Sequence, residues 1–157
     1  MDNVFENDQP VVQGNRLGLL YIDSLTLGVF EEQVLAVNES SEPTPLPFSP
    51  DPVLGVVCVE GRMFTVLDIG VLLGTAAISA RRPFIVALRG DEQFALAADS
   101  WQTPVKVRLS DIENIEESSS RLICRIVKLG DRQIPLLETS KLFSEVIQGR
   151  ERRRRRF

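Results

Sequence analysis

The chain has 157 residues and a mass of 17.6 kDa, and at 43% hydrophobic and 25% charged residues it has the composition of an ordinary globular domain. It contains no histidine, which excludes Ser-His-Asp and Cys-His catalysis, His-ligated zinc and a phospho-accepting histidine together. The formal net charge is −4, but residues 150–157 hold six Arg and one Glu, so the rest of the chain carries −9.

Residues 1–15 are polar and read as a flexible N-terminus. No apolar run reaches the roughly 18 residues of a membrane span, and the start Met1-Asp2-Asn3-Val4-Phe5-Glu6 has no basic region, which predicts a soluble, cytoplasmic protein. A chain of this size buries roughly two-thirds of the surface it exposes when unfolded, so it needs no disulfide or metal staple. From Leu17 onward it breaks into short apolar stretches: Leu17–Ile22, Leu25–Val29, Val34–Val37, Val53–Glu60, Met63–Ile69, Phe84–Leu88, Gln93–Ala98, Val105–Val107, Leu122–Leu129 and Ile134–Leu137. They are rich in Val, Ile, Leu and Phe and bounded by Gly, Pro, Asp or Ser, as strands are. No long helical patterns separate them, which predicts a mainly β fold of barrels or a sandwich.

Pro43, Pro45, Pro47, Pro50 and Pro52 crowd one segment. Each fixes φ and removes a donor, which predicts an extended, unpaired crossover between lobes. Cys58 and Cys124 lie in apolar runs far apart in sequence and read as buried, reduced thiols. Val71-Leu72-Leu73 before Gly74 has the form of one helical turn. A longer helix is expected near the C-terminus, with Ser140 as its cap, Leu142, Phe143, Val146 and Ile147 on its apolar face and Gly149 at its end.

An internal echo links Phe64–Leu73 with Ile134–Phe143. In each an apolar strand is followed by an acid, Asp68 or Glu138, and then by a short amphipathic turn. An acid at that point suits the start of a helix. Two similar halves of this kind predict two small β-barrels, each incomplete until packed on the other. A second echo, Glu31-Glu-Gln-Val34-Leu-Ala with Asp91-Glu-Gln-Phe94-Ala-Leu, offers a different register for the first lobe.

Catalytic motifs are absent. There is no phosphate-binding Gly-rich loop and no G-x-G-x-x-G opening a helix. Asp68, Asp99 and Glu138 close apolar runs where a carboxylate pair could sit, but strand-end caps are the expected role. The Arg-rich end, residues 150–157, is a solvated block suited to phosphate or anionic lipid, or to folding back on the acidic body.

The segment from Pro43 through "PDPVLGVVCVEGRMFTVLDIGVLLG" (50–74), with "RPFIVALRGDEQFALAADSW" (82–101) and "DRQIPLLETSKLF" (131–143), resembles CheW-like domains, the coupling proteins of bacterial chemotaxis and pilus-motility pathways. The resemblance spans Leu17 to Ile147, with residues 16–149 expected as a single domain. It implies two five-stranded, SH3-type β-barrels sharing a hydrophobic core, with a short C-terminal helix. It also implies a non-catalytic scaffold with no cofactor or small-molecule substrate, bridging a chemoreceptor's cytoplasmic tip and the regulatory domain of a CheA-type histidine kinase. The groove between lobes is expected to take the receptor helix. Contact residues carried over by position are Val34, Ala36, Glu60 and Arg62. The chain departs from the family at them: Val34-Leu35-Ala36-Val37 lacks the acid of Val-x-Glu-Ile. Cys58-Val59-Glu60-Gly61 puts an acid where Asn-Leu-Arg-Gly has a base, and Thr65 replaces a proline. If the strand runs through Gly61, Arg62 shares a face with Glu60 and can pair with it. The alternative reading is a β-barrel that binds nucleic acid or anionic membrane through its arginine tail.

Overall fold

The computed structural model describes residues 16–39, 42–74, 82–116 and 120–147. The mainly β expectation holds. The strands are β1 (Arg16–Ile22), β2 (Leu25–Phe30), β3 (Val34–Glu39), β4 (Val53–Val59), β5 (Arg62–Leu67), β6 (Phe84–Leu88), β7 (Phe94–Ala98), β8 (Ser100–Lys106), β9 (Ile112–Asn114), β10 (Ile123–Leu129) and β11 (Arg132–Leu137). A single helical turn, α1 (Ile69–Leu72), follows β5, and residues 142–147 form a second helix, α2. Each apolar stretch of the sequence contributes a strand, and β9 is the one that composition did not reveal.

Two sheets result, one of six strands in the order β8-β1-β2-β11-β10-β9 and one of five in the order β3-β6-β7-β5-β4. They are not successive halves of the chain. The five-stranded sheet is one continuous insert, and the six-stranded sheet is split around it, its parts rejoined where β8 pairs antiparallel with β1 and where Leu136 of β11 lies parallel to Gly28 of β2. Neither sheet closes on itself by strand pairing among the described residues, so open sheets stand where barrels were expected.

The internal echo is structural, with a constant offset of seventy positions between β4–β5 and β10–β11. The burial patterns of β5 and β11 are identical, and both hairpins carry an irregularity at the same point, Val53/Gly55 and Ile123/Arg125. The Asp68 amide donates to the Pro52 carbonyl at 2.7 Å, and the Glu138 amide donates to that of Leu122 at 2.7 Å. The Glu31/Asp91 echo is not part of this repeat: 31–33 is a 3-10 turn leading into edge strand β3, whereas Phe94 opens the interior strand β7.

Packing follows the same plan. One core cluster draws on both sheets, with Leu20, Ile22, Leu27 and Val29 meeting Leu67, Val86, Leu88 and Leu96, and Leu142 of α2 enters it. A second cluster around Phe64, Val66 and Ile85 belongs to the five-stranded sheet, and a third around Leu17, Val127 and Ile134 to the six-stranded one. The shared core expected between lobes is therefore present.

Several local expectations change. The proline-rich segment does not run between lobes; it joins β3 to β4, opposite edges of one sheet. It is not unpaired either: Thr44, between two prolines, keeps its N–H and exchanges two backbone hydrogen bonds with Val56, at 2.8 and 2.9 Å. By pairing position Thr44 stands where β9 stands in the other sheet. Cys58 is exposed and Cys124 half-buried, because both fall on outward positions of their strands. Ser140 does not cap α2; it lies inside a 3-10 turn, Thr139–Lys141, that begins after Glu138 and has no side-chain cap. Gly149, the N-terminal residues 1–15 and the arginine tail lie outside the described residues.

Candidate protein-binding surfaces

The structure does not bring the four expected contact residues together. Val34 and Ala36 lie on β3 and are half-buried, Val34 against the shared core and Ala36 against the core of its own sheet. Arg62 opens β5, three strand spacings away, or about 14 Å. The register puts Ala36 level with Val66 and not with Arg62, which widens the gap. Glu60 is not on a strand. Glu60 and Gly61 form the two-residue turn between Val59 and Arg62, with φ of 51° and 77°, as a type I′ hairpin requires. The strand therefore does not continue through Gly61, and no ion pair joins Glu60 to Arg62 among the described residues. What the hairpin presents is an exposed tip with Glu60 and Arg62 at the end and Cys58 paired with Met63, which is 55% exposed.

The carboxylates have structural work. Asp68 is buried and its side chain accepts from the Val71 amide at 3.3 Å, capping α1 as its position in the echo predicts. Glu138 does not cap; it takes Arg125 Nε at 2.8 Å, while the Arg125 guanidinium stacks over Phe30 at 5.6 Å. Asp99 accepts from Arg82, which the sequence did not single out. Arg82 is buried, with its guanidinium 2.9 Å from Asp99 and 3.2 Å from Asp23. Burial works against its charge, but the hydrogen bond to Asp23 and the charges of Asp99 and Asp68 outweigh that and raise its pKa above the ordinary arginine value. Arg82 precedes β6 of one sheet, Asp23 turns the β1–β2 hairpin of the other, and Asp99 links β7 to β8, so the cluster staples the two sheets. Its partners are 59 and 17 positions distant, and no local pattern announces them.

On the seam between the sheets lies an open cleft of about 550 Å³. Its lining includes α1 and Gly74 from one sheet, Ile115, Ile123 and Cys124 from the other, and Glu145 of α2. A smaller cavity of about 190 Å³ lies over Phe30, Leu109, Ile112 and the Arg125–Glu138 pair. Phe143 and Ile147 stand half-exposed on α2, with Phe143 6.5 Å from the Phe94 ring. No group of three or more Cys, Asp or Glu side chains is arranged to hold a metal ion among the described residues.

The fold has a counterpart in known proteins. The model of the CheW-like domain matches residues 19–146, most of the chain. The chain belongs to the CheW-like domain family. The crystal structure of the scaffolding protein TtCheW from Thermoanaerobacter tengcongensis is similar in fold, with a TM-score of 0.75 at 16% identity over 83% of this chain and 92% of that one. Sequence comparison with curated proteins gives no match. As a CheW-like domain it falls among the adaptor and scaffold proteins of chemotaxis. In this CheW-like domain the cleft, whose residues were missed when contacts were carried over by position, is assembled from segments about twenty to seventy positions apart. The Val71–Gly74 turn, the strand with Ile123 and Cys124 and the helix with Glu145 were each legible as elements, but not their convergence.

Proposed function

We propose that this CheW-like domain is a non-catalytic scaffold that couples a chemoreceptor's cytoplasmic tip to the regulatory domain of a CheA-type histidine kinase, in chemotaxis or pilus motility. The observation that carries the reading is the family match across residues 19–146, on a chain without histidine in which Asp68, Asp99 and Glu138 are engaged in a cap and ion pairs. The surfaces suit such a role. The seam cleft is open, and Leu72, Leu73, Ile115 and Ile123 stand in its lining among Glu116, Ser120, Arg121 and Glu145, a mixed surface that suits a helix carrying both apolar and charged side chains. The β4–β5 hairpin offers Met63 and Cys58 flanked by Glu60 and Arg62, a small apolar centre with a charged rim.

Glu60 sets the sign of that rim. At the position where the family carries a base, it favours a kinase surface with a basic group opposite, and a like charge there costs affinity. A cytoplasmic location follows from the proposed partners; for its part, no helix among the described residues is long and apolar enough to cross a membrane. The test is a titration of the chain against the regulatory domain of a CheA-type kinase from the same genome, with and without Glu60→Arg. The reading expects saturable binding, at tens of micromolar or tighter, and an affinity at least several-fold lower for Glu60→Arg. Absence of binding in both forms contradicts the kinase half of the proposal.

A further inference from the structure

Cys124 and Lys141 place a thiol and a primary amine side by side at the seam. Cys124 sits half-buried on β10, and Lys141 closes the 3-10 turn that leads into α2. Lys141 Nζ is 3.2 Å from Cys124 Sγ, while the thiol hydrogen is directed at the Arg121 carbonyl, 3.4 Å away. Lys141 thus donates to the sulfur, and the sulfur donates in turn to the Arg121 carbonyl. Cys124 also lines the 550 Å³ cleft, which opens the sulfur to small solutes. Cys58 provides the contrast within the same molecule: it is more exposed, but its cross-strand neighbour is Met63 and no amine contacts it among the described residues.

We propose that Cys124 and Lys141 form an oxidative modification site, at which a hydroperoxide drives formation of a sulfenamide bond between Sγ and Nζ. The Cys124 thiolate attacks one oxygen of hydrogen peroxide; the O–O bond breaks, hydroxide leaves and takes up a proton as water, and the sulfur becomes a sulfenic acid. The unprotonated Lys141 amine then attacks that sulfur. The S–O bond breaks, and hydroxide departs with the amine proton as a second water. One thiol, one amine and one hydrogen peroxide thus give one S–N bond and two waters, and the sulfur loses the two electrons that the peroxide gains. The remaining approach of nitrogen to sulfur is within reach of a Lys141 rotamer change. The bond ties β10 to the root of α2 and removes a thiol from the cleft wall. It is independent of which partner the cleft receives.

The experiment treats the full-length Cys58→Ser variant with hydrogen peroxide in small excess, then measures intact mass and maps non-reduced peptides. The serine removes the disulfide that would mimic the mass change. The expected result is a species lighter by about 2 Da, two hydrogens, restored by dithiothreitol, with the Cys124 peptide joined to the Lys141 peptide. Adding Lys141→Arg keeps the positive charge but removes the nucleophilic amine, and this double variant is expected to gain oxygen at Cys124 instead. Oxygen addition alone in Cys58→Ser overturns the proposal, and so does loss of two hydrogens that persists with Lys141→Arg.

Discussion

Arg82 ties the two sheets together by ion pairs. Its side chain is 5% exposed and holds two carboxylates, Asp23 and Asp99, that keep contact with solvent at 52% and 36% exposure. Arg82→Met removes the buried charge and leaves carboxylates that rehydrate in part, so the expected loss is about 2 kcal/mol, below the range for a fully buried pair. Urea unfolding checks it as a lower midpoint at unchanged slope. The raised pKa fixes the pH dependence: a cation whose folded pKa lies above its unfolded value stabilises fully below the unfolded value, and the contribution disappears only as pH rises through the folded one. For an arginine that window is strongly alkaline, so the Arg82→Met deficit is expected to be constant from neutral to mildly alkaline pH. Glu60 is the opposite case, a residue that its local backbone disfavours. It holds φ of 51° where the repeat places Gly130 at φ of 61° in the other hairpin. Glu60→Asn suits a type I′ turn and is expected to raise stability by roughly 0.5–1 kcal/mol, read as a higher urea midpoint. The same substitution also removes the acid from the hairpin tip, so stability and kinase affinity are to be measured on one sample.

At the scale of elements, the crossover 42–52 depends on Gly55. A Cβ added there would stand 2.2 Å from the Thr44 carbonyl oxygen, and φ of 148° disfavours any side chain. Gly55→Ala therefore expels the Thr44 segment from the edge of β4 and breaks its two backbone hydrogen bonds. The expected result is a loss of about 2–3 kcal/mol and faster proteolytic cleavage within 42–52 than in the parent. Strands were legible because a half-buried strand writes its alternation into its own residues, as β5 and β11 do. What was not legible depends on partners. β9, Ile112–Asn114, is three residues long with exposed Glu113 and Asn114, and exists because Val127 and Arg125 pair with it. Thr44 reads as part of a proline crossover until the close approach of Gly55 is known. The helical turn α1 was visible because its cap, Asp68, is adjacent in sequence. Glu138 broke the analogy because Arg125, thirteen positions earlier, claims its carboxylate.

For the whole molecule, the shared core makes the two sheets one folding unit. Leu142 of α2 is 1% exposed among residues of both sheets. Leu142→Ala is expected to cost about 2–4 kcal/mol and to lower both sheets together. Backbone circular dichroism and the fluorescence of Trp101, which packs on the shared core, are expected to give coincident unfolding curves. Two separated transitions would show that each sheet folds on its own. The same architecture explains why the candidate site was only partly readable. Family position pointed to Val34, Ala36, Glu60 and Arg62, yet β3 and the β4–β5 tip are apart, and Val34 and Ala36 are largely occupied with packing. The cleft arises where α1, β10 and α2 converge, an arrangement set by how the six-stranded sheet is split around the other. The measurement that tests the scaffold most directly is co-sedimentation of a CheA-type kinase regulatory domain with a membrane-bound or templated receptor tip, with and without this chain. The kinase domain is expected to sediment with the receptor only when the chain is present, and the chain itself to be found in the pellet with both. Kinase recruitment that does not change on adding the chain, or a chain that stays in the supernatant, would contradict the scaffold role.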